Sequence, residues 1–294
     1  MAPRRPTPTL DAESLAAFVV FAERLNFTHA AERLHLSQPA LHTRIRKLGE
    51  QLGVPLYRRS GRQLALTDAG REVLRFAREL DDRTQELRDN LHGTGPTAPV
   101  TLAAGEGSFL YLLGEPIRRF VRRGVAPLRL LTRNREQVFE ALRSGEAQLG
   151  VAAVDHPPDA LVGERLVEVP QVLVLPSEHP LARKRRIRLE QLAGARMIVA
   201  PAGRPHRESF AQGMRAAGVA WELAVETHGW PAMLQCVRLG VGLAVVNGSV
   251  KLPRGLVGRP VPELPTTTYW LLRSPRLGSA ASALAELIVD RAGR

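Results

Sequence analysis

One cysteine, Cys236, stands among 294 residues. A single thiol excludes an internal disulfide and a thiolate cluster for zinc or iron, so no metal or other cofactor is expected, and a reduced, cytoplasmic setting fits. Lysine is almost as scarce: Lys47, Lys184 and Lys251 are three of the 41 basic residues, and the rest are arginine. Such a bias follows coding composition as readily as function, which discounts the net charge of +12 as an argument for a polyanionic partner. Apolar runs of 18 residues are absent, and Arg4 and Arg5 have no apolar stretch behind them, so neither secretion nor a membrane partner is expected. Phosphate-loop, zinc-protease and serine-elbow motifs are also missing, and the chain is not expected to be an enzyme.

What is present is 44% hydrophobic content, enough for one large or two to three smaller domains, and a local excess of charge. From Arg24 to Arg71 nine basic residues stand against Glu32, Glu50 and Asp68. In this stretch Asp11 is placed to cap a helix ending near Asn26, with Leu15, Phe18, Val19, Ala22 and Leu25 at spacings of three and four and Leu10 packed on Leu15. Thr28 is placed to cap a short helix over 29–35. Ser37 is placed to cap a third, with Pro39 in its first turn and Leu41, Ile45, Leu48 and Leu52 as its buried stripe.

With the start of that third helix in a major groove, Gln38, Pro39, His42 and Thr43 meet base edges, and Arg46 and Lys47 reach phosphates. Periodicity alone fits an ordinary helical hairpin as well. Residues 57 to 67 shift the balance, because they read as strand, glycine turn, strand, with Arg58, Arg59 and Arg62 around Gly61, which suits a wing against a phosphate backbone. The DNA-binding set is therefore Thr28, Ser37, Gln38, Pro39, His42, Thr43, Arg46, Lys47, Arg58, Arg59 and Arg62. Thr67 can cap a long helix, about 68 to 91, whose Leu74, Ala77, Leu80, Thr84, Leu87 and Leu91 share a face suited to a second copy of itself.

Turn formers between 92 and 99 end the helical pattern. Strands are then expected at 100–104, 128–132, 149–154, 166–175, 197–199, 220–225, 242–246 and 267–272. Helices are expected at 108–123, 136–143, 205–217, 229–239 and 279–290. Apolar strands separated by amphipathic helices predict parallel-rich sheets covered on both faces.

Residues 10 to 71 resemble the DNA-binding module of the LysR-type transcriptional regulators. The likeness lies in Leu15-x-x-Phe18, Asn26-Phe27-Thr28-x-Ala30-Ala31-x-x-Leu34, Leu36-Ser37-Gln38-Pro39-Ala40-Leu41, Ile45-x-x-Leu48, Leu52-Gly53-x-x-Leu56 and Leu66-Thr67-x-x-Gly70. The resemblance implies an all-α winged helix-turn-helix domain (10–67), a dimerisation linker helix (68–91), a hinge (92–99) and an α/β effector domain (100–294) similar to periplasmic binding proteins. Its two lobes are expected at 98–163 with 267–294, and at 164–266, with crossings at 155–162 and 262–267. The resemblance also implies a dimer of dimers on an imperfect palindrome of double-stranded DNA, contact with RNA polymerase, activation of a neighbouring operon and repression of the chain's own gene. Three residues depart from the family pattern: His42 stands where Ser is usual, Gly49 where Glu is usual and Tyr57 where Phe is usual. Gly49 removes a charge and adds flexibility in mid-helix.

Effector-binding residues are placed by position at the strand ends that face the cleft. They are Gly107 and Ser108, with Ser108 capping the next helix, Arg133 after the second strand, Gly203 and Arg204, and Thr227 and His228. Glu106 either selects an amine, pairs with an arginine or faces solvent; Arg133 and His228 also read as surface residues, and Cys236 as a core residue. The basic run from Arg183 to Arg188 reads as a solvated loop. Basic candidates around the cleft favour an organic acid as the effector. The expected function is a sequence-specific transcription regulator controlled by a small molecule. A ligand-insensitive or architectural DNA-binding protein is the alternative, and a solute-binding protein or enzyme built on the α/β half is the rival of another class.

Overall fold

The computed structural model describes residues 10–61, 63–92, 97–274 and 277–292. Arg62 and residues 93–96 of the expected hinge lie outside them. The first helix, α1 (Ala12–Arg24), starts where expected, because the Asp11 carboxylate accepts the Ser14 N–H at 2.9 Å. The second, α2 (Phe27–Arg33), begins two residues before the sequence reading placed it. Asn26, not Thr28, is its cap and accepts the His29 N–H at 3.1 Å, because Phe27 must already turn inward to bury its ring. Thr28 is left exposed, its hydroxyl 3.5 Å from Gln38 Oε1.

Helix α3 (Gln38–Leu52) carries the predicted cap, with Ser37 Oγ accepting the Ala40 N–H at 3.3 Å and Pro39 in the first turn. Leu41, Ile45 and Leu48 are fully enclosed by α1 and α2. Gly49 acts through packing rather than flexibility: it is buried, and a Cβ there would lie 2.9 Å from the Val54 carbonyl oxygen. The wing pairs β1 (Tyr57–Ser60) antiparallel with β2 (Gln63–Leu66). Thr67 caps α4 (Asp68–His92), accepting the Gly70 N–H at 2.9 Å. Gly70 is needed because a Cβ would sit 1.9 Å from the Leu56 carbonyl oxygen, far inside van der Waals contact.

The remainder forms two five-stranded sheets. The first has the order β4-β3-β5-β12-β6, from β3 (Val100–Ala104), β4 (Leu128–Thr132), β5 (Leu149–Ala153), β6 (Val162–Val169) and β12 (Thr267–Arg273). The second has the order β11-β7-β10-β8-β9, from β7 (Gln171–Pro176), β8 (Arg196–Val199), β9 (Glu222–Glu226), β10 (Leu243–Asn247) and β11 (Leu256–Pro260). In the first sheet β3 is parallel to β4 and β5, and β12 runs antiparallel to β5 and β6; in the second β8 is parallel to β9 and β10, and β7 runs antiparallel to β10 and β11. Helices α5 (Glu106–Tyr111), α6 (Gly114–Arg123), α7 (Arg135–Arg143) and α10 (Ser279–Ala292) accompany the first sheet, and α8 (Pro205–Ala216) and α9 (Trp230–Arg238) the second. Successive strand residues bury on opposite faces: Leu173 and Leu175 join Phe210 and Met214 under α8, whereas Val174 joins Met233 and Val237 under α9.

Four expectations give way here. The strand expected at 166–175 is two strands, because Pro170 has no N–H to donate and interrupts the run. Its first half, β6, pairs with β12, so the outward crossing lies at Pro170 rather than at 155–162, and lobe I extends to about residue 169. The helix expected at 108–123 is α5 and α6, and Gly105, in extended conformation, takes the cap position that Ser108 was expected to fill. Ser108 is buried inside α5.

Candidate nucleic-acid interface and interlobe cleft

The buried stripe of α3 fixes which side faces out. Ser37, Gln38, Pro39, His42, Thr43, Arg46 and Lys47 are all exposed, and beside them Arg58 and Arg59 project from the outer half of the wing. Arg46 is paired with Glu50 at 2.5 Å, an exposed contact that a phosphate can replace at little cost. The wing is joined to the helices by aromatic packing. Phe21 stacks on Phe27 at 4.2 Å, and Tyr57 meets both rings edge-on at 5.4 Å. The Tyr57 hydroxyl then continues to His42 Nε2 at 3.0 Å, a link that the separate reading of these two residues did not foresee. Burial raises the Tyr57 phenol above its ordinary value, so it stays protonated near neutrality.

The two lobes meet where α5, α8 and α9 begin. A Cβ on Gly107 would lie 2.9 Å from the Trp230 indole nitrogen, and one on Gly229, where φ is +76°, would lie 2.8 Å from Glu106 Oε2. Gly107 of lobe I is thus covered by Trp230 of lobe II, and the Glu106 carboxylate sits at the start of α9, where the helix dipole favours a negative charge. The Trp230 ring meets His206 at 4.6 Å in a T-shaped contact. His206 keeps part of its surface, but its Nε2 is buried without a hydrogen-bond partner, and burial pushes its pKa down to about 4.

Among the other sequence-derived residues, Gly203 (φ +78°) donates its N–H to Glu208 at 3.0 Å, and exposed Arg204 occupies the cap position of α8. The Thr227 N–H donates to the Val199 carbonyl at 3.0 Å, and His228 next to it is exposed. Arg133 follows β4 but its guanidinium is engaged by Glu146 at 3.2 Å. Gly107, Arg204 and Thr227-His228 therefore belong to segments that converge on Trp230, whereas the Arg133 side chain is held by its own lobe.

At the crossings the sequence reading missed a polar set. Gln171 Nε2 donates to Thr267 Oγ1 at 2.8 Å, and Asn247 Nδ2 donates to the Tyr269 hydroxyl at 3.2 Å, tying lobe II to β12. Gln171 and Asn247 are buried, the Gln171 Oε1 has no partner, and burial raises Tyr269 to about 12. Their only sequence signal is a polar residue at the end of an apolar strand, which single-strand periodicity does not single out.

Helix α4 is fastened to lobe I of its own chain. Arg78 donates to the Ser144 carbonyl at 2.9 Å, Gln148 donates to Asp82 at 2.9 Å while accepting the Thr101 N–H at 2.8 Å, and the Ser279 hydroxyl donates to Glu86 at 2.9 Å. Between them lies a cavity of about 140 Å³. Elsewhere on α4, Phe76, Leu80, Leu87 and Leu91 remain exposed although Leu74 and Ala77 are buried. Among the described residues no helix is long and apolar enough to cross a membrane, and no group of three metal-ligating side chains occurs.

Two family models match the chain: "Bacterial regulatory helix-turn-helix protein, lysR family" over residues 12–71 and "LysR substrate binding domain" over 93–293. A RuBisCO operon transcriptional regulator of Allochromatium vinosum is 31% identical over 290 residues, covering 95% of this chain and 96% of the relative. The HTH-type transcriptional regulator CatR of Pseudomonas putida is 35% identical over 248 residues, covering 82% and 84%. The crystal structure of ArgP from Mycobacterium tuberculosis shares the fold with a TM-score of 0.72 at 19% identity, covering 97% of this chain and 98% of that one.

Proposed function

The chain belongs to the LysR family of bacterial helix-turn-helix regulators, and on that premise we propose a transcription factor in which Ser37-capped α3 reads the major groove, the β1–β2 wing grips the backbone, and the cleft at Trp230 receives the effector. The observation that carries this reading is the solvent-facing row of Gln38, Pro39, His42, Thr43, Arg46 and Lys47 beside Arg58 and Arg59. Arg62 and the hydroxyls of Thr28 and Ser37 complete the same set. Residues 10–67 act as the reader, 68–91 as the linker helix, and the two lobes as the sensor, with their outward crossing at Pro170. The exposed apolar face of α4 supports pairing with a second copy, and a dimer of dimers on an imperfect palindrome follows from family membership, as does contact with RNA polymerase in the cytoplasm.

For the effector, Gly107, Ser108, Gly203, Arg204, Thr227 and His228 remain the proposed binding set with Arg133 at its edge, joined by Trp230, His206 and Gln171. Arg204 favours an organic acid, and the unpaired Gln171 Oε1 favours one that also carries a hydroxyl or amino donor. A ligand that prefers one arrangement of the lobes biases α4 through its hydrogen bonds to lobe I.

Two experiments test this reading. Gln38→Ala and Thr43→Ala are expected to lower affinity for a selected duplex while leaving random duplex binding unchanged, and Arg58→Ala is expected to weaken both and reduce the salt slope by about one. A panel of organic acids, amino acids and sugars is expected to raise the melting temperature of the full chain for at least one acid. No shift across the panel would favour the ligand-insensitive regulator.

A further inference from the structure

Two of the three residues by which the DNA reader departs from its family pattern, His42 and Tyr57, touch one another. His42 lies on the exposed side of α3, and Tyr57 begins the wing with its ring fixed against Phe21 and Phe27. Their side chains meet through the phenol oxygen and Nε2 at 3.0 Å, while the imidazole itself packs 5.0 Å from Phe27. No hydrogen bond engages His42 Nδ1 among the described residues.

A neutral imidazole has one donor and one acceptor nitrogen, and a neighbour that claims one nitrogen decides the role of the other. A phenol is the stronger donor of the pair and an imidazole nitrogen the stronger acceptor, so the Tyr57 O–H donates to Nε2. Burial keeps that phenol protonated near neutrality. The ring proton is then placed on Nδ1. We propose that Tyr57 fixes the tautomer of His42, so that His42 meets the duplex with Nδ1–H as a donor and reads a base acceptor in the major groove.

The consequence is a direction of choice. Guanine offers N7 and O6, adenine N7 and thymine O4 as acceptors, whereas cytosine offers the donor N4–H₂ on that edge. A donor-only His42 therefore disfavours cytosine at the base it meets. Tyr57 is a positioning residue: it acts on specificity through His42 and touches no base itself. The inference rests on the proposal that α3 reads the major groove.

The test uses the full chain and a pool of duplexes randomised over about 20 base pairs, with bound fractions sequenced for the wild type, Tyr57→Phe, His42→Ala and the double variant. Tyr57→Phe keeps the ring contacts with Phe21 and Phe27, so its melting temperature is expected to match that of the wild type. In the wild type, cytosine is expected to be depleted at one position of each half-site by about 3- to 10-fold, the range of one net hydrogen bond. Tyr57→Phe is expected to bring that depletion below about twofold while leaving other positions unchanged. The double variant is expected to match His42→Ala, because Tyr57 acts only through the imidazole.

Retained depletion in Tyr57→Phe, or a loss spread evenly over all positions and repeated in the His42→Ala background, overturns the proposal and leaves Tyr57 a structural role in the wing. A motif unaffected by His42→Ala overturns it as well. Failure of the wild type to enrich any motif is a different result, since it removes the DNA-reading premise itself.

Discussion

His206 offers a quantitative check on the closed cleft. Its Nε2 is enclosed without a partner beneath Trp230, and burial holds the imidazole neutral down to about pH 4, against an ordinary value of 6.5. The unfolded chain therefore binds a proton that the native chain does not, so stability contributed by this group is complete above pH 6.5 and is lost as pH falls from 6.5 towards 4. Linkage over that shift gives a loss of about 2 kcal/mol between pH 7 and pH 5, reduced towards about 1 kcal/mol by the solvent that reaches the ring edge. His206→Phe keeps the edge contact with Trp230 and cannot titrate. Urea unfolding followed by tryptophan fluorescence reports this half alone, because Trp221, Trp230 and Trp270 all lie in it. The variant is expected to be the more stable protein at pH 5, by about 1–2 kcal/mol more than at pH 7. Parallel pH profiles for the two proteins would refute the argument, since the imidazole would then be titrating in the native state as it does in the unfolded one.

Further outcomes follow from the packing. Gly70→Ala forces a Cβ against the Leu56 carbonyl, which backbone cannot cheaply yield, and is expected to cost roughly 2–3 kcal/mol; hydrogen exchange should show protection falling in α1 to α3 and holding in α8 and α9. Leu87→Glu places a charge on the exposed apolar face of α4 and is expected to shift sedimentation towards smaller species, without loss of helical circular dichroism. Gly107→Ala meets the Trp230 indole, so its emission is expected to move to longer wavelength as the ring is displaced towards water; an unchanged spectrum would mean that the lobes do not close through this contact.

The reader was legible in the sequence because its signals are local. Asp11, Ser37 and Thr67 cap their helices through hydrogen bonds to residues three positions on, and the spacing of Leu41, Ile45 and Leu48 alone sets which side of α3 is wet. Thr28 misled because Asn26, two residues earlier, is as good a cap, and only the burial of Phe27 decides between them. Gly49 and Gly70 misled or stayed silent because what they accommodate, the carbonyls of Val54 and Leu56, comes from packing across a turn. The cleft was legible only as strand ends: Gly107, Arg204 and Thr227 lie on segments that meet, but Trp230 depends on Gly107, far back in the chain, His206 on Trp230, and Gln171 on Thr267, 96 residues away. Pro170 was visible in the sequence, and the second strand after it follows from its missing donor.

The central claim is that α3 and the wing read duplex DNA by sequence, and sequencing of genomic fragments captured by the purified full-length chain tests it most directly. The account predicts enrichment of a small number of fragments sharing an imperfect palindrome, binding that weakens steeply with salt, and loss of that enrichment in Gln38→Ala with Thr43→Ala while total captured DNA changes little. Capture without a shared motif, or a motif that survives both substitutions, would contradict it.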